Sequence, residues 1–251
     1  MRPQNLGNNL LKESLKLKND TIFNQNKYYY FYYILKKNVN KTINLNEFTI
    51  YFLKKSPRSE ILINDKKINI EQGDCINFFN SKKVTISSLK NHTQILVAGV
   101  KNKITGKYLF NKIKKKNIYT VNKPWGYEKW LNGRGKFYAF KNIFLKYGFK
   151  TSLQYHNYKM ETNFLYKGNA ELVFKKNKKI KNLNVEEKDL GKKKIKSQSL
   201  IFVKPKVLHR IKANSDLILF ETSTPHLDDV IRVSDDRNRS SGLIRSEHKD
   251  N

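Results

Sequence analysis

Residues 148–168 read GFKTSLQYHNYKMETNFLYKG, and the spacing inside this stretch decides how the rest of the chain is read. Gln154 follows Gly148 after five residues, His156 after one more, Glu161 after four and Gly168 after six. If 153–155 is extended, the two-residue period of a strand puts Gln154 and His156 on one face. The turn-forming residues 157–159 send the chain back, so that Glu161 faces the same interior from the next strand. His209, which follows the apolar run SLIFV at 199–203, closes the set. One amide oxygen, one carboxylate and two imidazoles make a mixed nitrogen and oxygen donor set, suited to a divalent zinc, iron, manganese or nickel ion.

Working outward, three further segments fall into line. Lys123-Pro124-Trp125-Gly126-Tyr127 lies upstream, Ser152-Leu153-Gln154-Tyr155-His156 at the centre, and DDVIRVSDDRNR at 228–239 downstream. The central stretch resembles the first signature of the cupin superfamily, with Gln154 in place of the usual first histidine, and His209 falls where the second signature places its ligand. Within the cupins, the segments from about 119 to 239 resemble, in order, the C-terminal domain of type II mannose-6-phosphate isomerases. Two departures stand out. The loop before His209 is KPKVLH where the family has P-x-G-x-x-H, and Lys159 stands where the family has arginine beside the glutamate.

The resemblance implies a metal at the base of a barrel and a sugar phosphate or sugar nucleotide as substrate. Aldose–ketose isomerisation moves a proton between neighbouring carbons through an enediol, and a bound metal favours it by polarising the carbonyl. Arg232 matches the family's arginine in the downstream segment, as a substrate contact and catalytic candidate. Lys150, Lys159 and Arg210 lie near the ligands in sequence and could meet a phosphate. Glu221, on the last predicted strand, at 217–221, is a candidate base. The chain lacks the nucleotide-binding signature of the type II enzymes' other domain, so the likeness describes a domain and leaves the substrate open. A non-catalytic sugar-binding or regulatory bicupin is the alternative. An iron-dependent oxygenase would use the same two histidines and carboxylate, but no cosubstrate signature accompanies them.

The N-terminal half is a series of short segments rich in Ile, Val, Phe, Tyr and Thr: 27–35, 42–53, 59–63, 67–70, 75–79, 84–89 and 93–100. Such segments, broken by Asn, Asp, Gly and Lys, point to strands of a sandwich or barrel. Asn64-Asp65 marks a hairpin, because both residues tolerate the backbone of a tight turn. Gly73-Asp74 resembles the turn opening the second cupin signature, but Val84 stands where the family carries histidine. Valine cannot ligate a metal, so this half reads as a structural or dimerising copy, which admits a homodimer. The fold expected is all-β, two cupin-like (double-stranded β-helix or jelly-roll) barrels in tandem. A degenerate domain at 21–102, a basic linker with one short helix at 103–122, a metal-binding domain at 123–239 and a loose tail at 240–251 make up the chain. The charged residues 175–196 read as a surface excursion with Gly191 at a turn.

The chain of 251 residues can bury one large or two ordinary cores. Its formal charge of +30 suggests nucleic acid at first. The lysines, however, are spread throughout, and no zinc-finger spacing, helix-turn-helix pattern or stacking motif accompanies them, so no specific nucleic-acid partner is expected. Such a charge would draw anionic sugars to a cleft, less so in salt. Cys75 is the single cysteine and reads as a small buried hydrophobe. Residues 1–20 lack the apolar core of a signal peptide, and the longest apolar run, 28–35, is too short to span a bilayer. A cytoplasmic protein without a membrane span is the expectation. His92, His226 and His248 read as exposed bystanders, with His226 nearest the barrel mouth.

Overall fold

The computed structural model describes residues 11–12, 21–24, 27–56, 60–89, 92–103, 105–133, 135–175, 185, 188 and 190–248. Two compact units share the chain, one built on Leu17–Tyr119 with Leu131–Gly133, the other on Thr120–Trp130 and Arg134–Asn251 with Gly7–Lys16.

Strand β1 (Leu11–Lys12) belongs to the second unit. The first unit contains β2 (Thr21–Asn24), β3 (Tyr29–Leu35), β4 (Asn40–Ile43), β5 (Glu47–Lys55), β6 (Ile61–Ile63), β7 (Lys66–Ile68), β8 (Cys75–Phe79), β9 (Val84–Ser88), β10 (Thr93–Val100) and β11 (Leu109–Ile113). Its antiparallel sheets run β11-β8-β5-β10-β3-β2 and β4-β9-β6-β7. Phe31, Phe48 and Ile50 from the larger sheet pack with Ile61, Val84 and Ile86 from the smaller. Each such burial contributes about 1.5–3 kcal/mol relative to an exposed side chain. Val84, at the position of the family's histidine, is therefore core. The aromatic run of β3 is buried on both faces. Asn64 and Asp65 take positive φ (47° and 61°) between β6 and β7, the geometry a two-residue hairpin requires. Cys75 is fully buried, its thiol pushed up to about 12 by burial and by Asp74.

Two expectations in this half are corrected. The segment 42–53 is two strands, because Leu45 is buried and Asn46 bends the chain from one sheet to the other, its side-chain amide donating to the Ser81 carbonyl at 2.8 Å. Residues 103–122 are not simply a connector: they include β11, which pairs with β8, and a 3-10 turn at Lys115–Asn117 held by Asp74, whose carboxylate accepts the Lys115 N–H.

The second unit adds β12 (Thr120–Lys123), β13 (Gly126–Trp130), β14 (Ala139–Leu145), β15 (Leu153–Tyr155), β16 (Glu161–Lys167), β17 (Asn169–Phe174), β18 (Gly191–Lys196), β19 (Ser199–Val203), β20 (His209–Ala213), β21 (Leu217–Ser223) and β22 (Ile231–Ser234). Its sheets run β1-β19-β16-β21-β14-β13-β12 and β18-β17-β20-β15-β22. Ile143, Leu165, Ile201 and Leu219 of the first pack with Leu172, Ile195 and Ile211 of the second. Gly191 opens a strand and is not a turn: β18 pairs along the whole of β17. Of the expected excursion at 175–196, residues 176–184, 186, 187 and 189 lie outside the described residues. The expected tail is also structured as far as 248. It forms a 3-10 turn at Arg245–Glu247, and His248 is buried with its ring edge-on to Trp130 at 5.4 Å. Residues 249–251 lie outside the described residues. No helix among the described residues is long and apolar enough to cross a membrane.

Candidate metal centre

Register brings the proposed ligands together. In the five-stranded sheet Gln154 of β15 is the cross-strand partner of His209 on one side and of Arg232 on the other. Glu161, the first residue of β16 in the facing sheet, lies opposite Val203 and Ser223. His156 sits in the turn between β15 and β16, and that turn is pinned from outside. The Asp229 carboxylate accepts the backbone N–H groups of Asn157, Tyr158 and Lys159 at 2.6–2.9 Å. Burial opposes that anion, but the three backbone bonds keep its pKa below the usual range.

Both imidazoles are fixed in one tautomer. His156 Nδ1 bonds the Asp229 carbonyl, and His209 Nδ1 bonds the Val207 carbonyl at 2.9 Å. A carbonyl can only accept, so each Nδ1 carries the hydrogen and each Nε2 presents a lone pair. These Nε2 atoms lie 3.5 Å and 3.3 Å from the two oxygens of Glu161, and one ligand atom from each residue falls within 4.8 Å of the others. Among the described residues this is the one group of His, Cys, Asp and Glu with that geometry.

Charge sharpens the picture. Burial lowers the pKa of His156 and keeps it neutral. Burial works against the Glu161 anion, yet the Lys159 ammonium holds the carboxyl well below its usual range. Lys159 Nζ donates to Glu161 Oε2 at 2.7 Å and to Glu221 Oε1 at 2.8 Å, and these carboxylates outweigh its own burial and raise its pKa. Two ring lone pairs and an anion thus converge with no proton to share, and His156 Nε2 is buried without a hydrogen-bond partner. A divalent cation satisfies all three donors at once, so the residues present fit a metal.

The cavity above this group has a volume of about 90 Å³, with Gln154, Glu161 and His209 among its lining. Gln154 has a protein donor of its own, Ser152 Oγ, at 2.6 Å from its amide oxygen. A second cavity of about 90 Å³ shares Lys123, Glu128, Gln154, Glu221 and Arg232 with the first. Glu221 Oε1 receives Lys159 and Ser223, while its Oε2 has no hydrogen-bond partner among the described residues. Arg232 donates from Nη1 to the carbonyls of Ser240 and Gly242, and its buried Nε has no partner among the described residues.

Other expected substrate contacts stand elsewhere. Arg210 is 2 % exposed, with Nε on the Thr151 carbonyl and Nη2 on the Ser234 carbonyl at 2.9 and 2.8 Å. It braces strands and does not line the metal cavity. Lys150 pairs with Asp236 at 3.1 Å and lines a neighbouring cavity of about 240 Å³ that shares Trp125 and Arg239 with the metal cavity. His226 bonds the Thr224 hydroxyl. Sequence reasoning gave no role to Lys123, Glu128, Lys141, Asp229 or Arg239, although Lys123, Asp229 and Arg239 all lie within the matched segments. Glu128 is held at about 2: burial raises its pKa, and Lys141, 3.4 Å away, together with Lys123 more than reverses this.

No family model matches the sequence, and no curated protein matches it. Solved structures do resemble the fold. A variant of Bacillus subtilis oxalate decarboxylase aligns with a TM-score of 0.60 at 10% identity, covering 88% of this chain and 78% of that one. The Lactobacillus farciminis oxalate decarboxylase in complex with formate aligns at 0.56 and 10%, covering 84% and 78%. A B. subtilis oxalate decarboxylase studied for its Mn(II) centres aligns at 0.53 and 10%, covering 78% and 68%. At this identity the likeness is one of fold, and with the two pairs of sheets it establishes that the chain has the architecture of two cupin barrels in tandem, the second holding a His/Glu/His group that can bind a divalent metal.

Proposed function

We propose that the second barrel is a metal-dependent enzyme site for a small anionic carbohydrate, and that its reaction is aldose–ketose isomerisation of a sugar phosphate, of the mannose-6-phosphate isomerase type. The observation that carries this reading is the convergence of His156, Glu161 and His209 beneath a cavity whose walls bear Lys123, Arg232 and Arg239. When bound, the metal would supply carbonyl polarisation. His156, Glu161 and His209 would hold it, with the Gln154 amide beside them. The cations would orient the anionic end of the substrate. Glu221 would carry the proton between neighbouring carbons; in support, it lines the metal cavity and its Oε1 accepts from Lys159.

A second reading has a specific support: the fold likeness to oxalate decarboxylases, together with a cavity of only about 90 Å³, favours a small dicarboxylate and loss of carbon dioxide. One series of measurements separates them. Metal analysis of the purified protein comes first, then incubation with hexose phosphates in deuterated water and, separately, with oxalate. Deuterium at carbon 2 is the expected result. Carbon dioxide from oxalate without exchange would move the assignment to the decarboxylase, and bound sugar without either would make the protein a binding module.

A further inference from the structure

The residues 240–248 form a wall of the cavity system, and one of them already occupies its cations. Gly242, Leu243, Ile244 and His248 line the cavity shared with Lys123 and Arg232. Glu247, carried on the 3-10 turn, places Oε2 2.7 Å from Lys123 Nζ and Oε1 3.3 Å from Arg239 Nη1. All three side chains are mostly buried, at 8–14 % exposure, so the contact is not a solvated surface pair. Both cations also line the metal cavity. Asp235 takes the other edge of Arg239 at 2.7 Å and fixes that guanidinium in place. Arg232 stands beside them with its Nε–H unsatisfied. Only backbone carbonyls, those of Ser240 and Gly242 in the same segment, receive its Nη1.

From this geometry we infer that Lys123, Arg239 and Arg232 form the anion subsite of the metal pocket, and that Glu247 is an internal occupant which the phosphate or carboxylate of a substrate displaces. The inference deepens the function proposed above and rests on the metal pocket being the substrate site. A carboxylate with one oxygen on each of two cations is the arrangement an incoming oxyanion would adopt. A dianionic phosphate brings more charge and a third acceptor oxygen, enough to take up the Arg232 Nε–H as well. The segment that carries Glu247 is light: a three-residue turn closed by the Glu247 and His248 amides on the carbonyls of Ile244 and Arg245. Releasing it gives up those two backbone bonds, the two ion pairs of Glu247 and the packing of His248 on Trp130. The built-in carboxylate scales the affinity of every anion by the fraction of time the subsite is open, so only anions that bind the open subsite tightly displace it.

Titration of the metal-loaded full chain with inorganic phosphate, at fixed ionic strength, tests this. Glu247→Gln is expected to bind phosphate roughly tenfold tighter than the wild type, and Lys123→Gln added to it is expected to abolish the gain. Unchanged or weaker phosphate binding by a folded Glu247→Gln protein overturns the proposal. Hydrogen exchange on the wild type gives a reading that needs no variant. Phosphate should speed exchange at the amides of Glu247 and His248, and rates that do not move up to high phosphate also overturn it. Metal content measured in the same samples reports separately on the ligand set, so failure of the subsite and failure of the metal reading are distinguishable.

Discussion

His156 does its work through two atoms held by different partners. The Asp229 carbonyl fixes Nδ1–H, and Nε2 is thereby aimed at Glu161. Replacing it with alanine removes a donor and leaves the two sheets and their core untouched. His156→Ala should therefore lose bound metal by at least the roughly 10–100-fold that even an outer partner costs, with unchanged circular dichroism; metal retained at wild-type stoichiometry would count against the ligand set. Asp229→Ala acts one step out. It strips three backbone N–H groups of their acceptor, so a stability loss of about 1–3 kcal/mol in urea melts is expected, with weaker metal binding because the His156 turn is freed. The grouping of His156, Glu161 and His209 was legible from the spacing of the matched segments, although His156 lies in the turn past β15 and strand period alone does not aim it. Asp229 was not, because its role depends on a contact 70 or more residues away. Arg210 misled for a similar reason: its number is next to a ligand, but alternation along β20 sends neighbouring side chains to opposite faces, and its guanidinium ends on backbone carbonyls.

At the scale of elements, the site depends on how the chain changes sheets. β16, which carries Glu161, and β17 lie in different sheets, and Gly168 makes the turn between them at φ +97°. A Cβ there would lie 2.4 Å from the Asp216 carbonyl oxygen, which is backbone and cannot swing aside. Gly168→Ala should destabilise the protein by about 1–3 kcal/mol, read as a lower urea midpoint. A stability equal to wild type would show that the turn can relax without cost. Segments buried on both faces, such as 75–79, 93–100 and 199–203, coincide with β8, β10 and β19 as observed, because their composition alone marks them as strand. Where polar residues alternate or dominate, composition was silent. β11 reads Leu-Phe-Asn-Lys-Ile beside a lysine cluster and β18 reads Gly-Lys-Lys-Lys-Ile-Lys, and each is a strand because a partner is there to pair with it. β20 begins at the proposed ligand His209, and its sequence His-Arg-Ile-Lys-Ala has no apolar run to mark it as strand.

For the molecule as a whole, 51 basic residues against 21 acidic ones leave few carboxylates to balance the charge, so the buried acids matter disproportionately. Glu128 illustrates the sign. Its carboxyl falls from an ordinary 4.5 to about 2 in the folded chain, where Lys141 and Lys123 outweigh the cost of burial. Between those values the unfolded chain binds the proton and the folded chain does not, so acid favours unfolding. The stabilisation is complete above about 4.5 and disappears as the pH drops through about 2, amounting to about 3 kcal/mol from this one group. Asp235, moved from 3.8 to about 2 in its pairing with Arg239, acts in the same direction over a narrower range. Protonation also removes the negative charges of the 21 acidic residues that offset the 51 basic ones, so the net charge climbs above +30 and the compact state then faces its own repulsion. Urea melts at steps from pH 7 to pH 2 should show a plateau above about 4.5 and a steep fall below it, eased by added salt as repulsion is screened. Glu128→Gln should start less stable at pH 7, since Lys141 and Lys123 lose a charged partner, and should fall less steeply in acid. A variant with the full acid slope of the wild type would show that the carboxyl is not held low by those lysines, and would remove Glu128 from the account of what keeps this cationic barrel closed around its site.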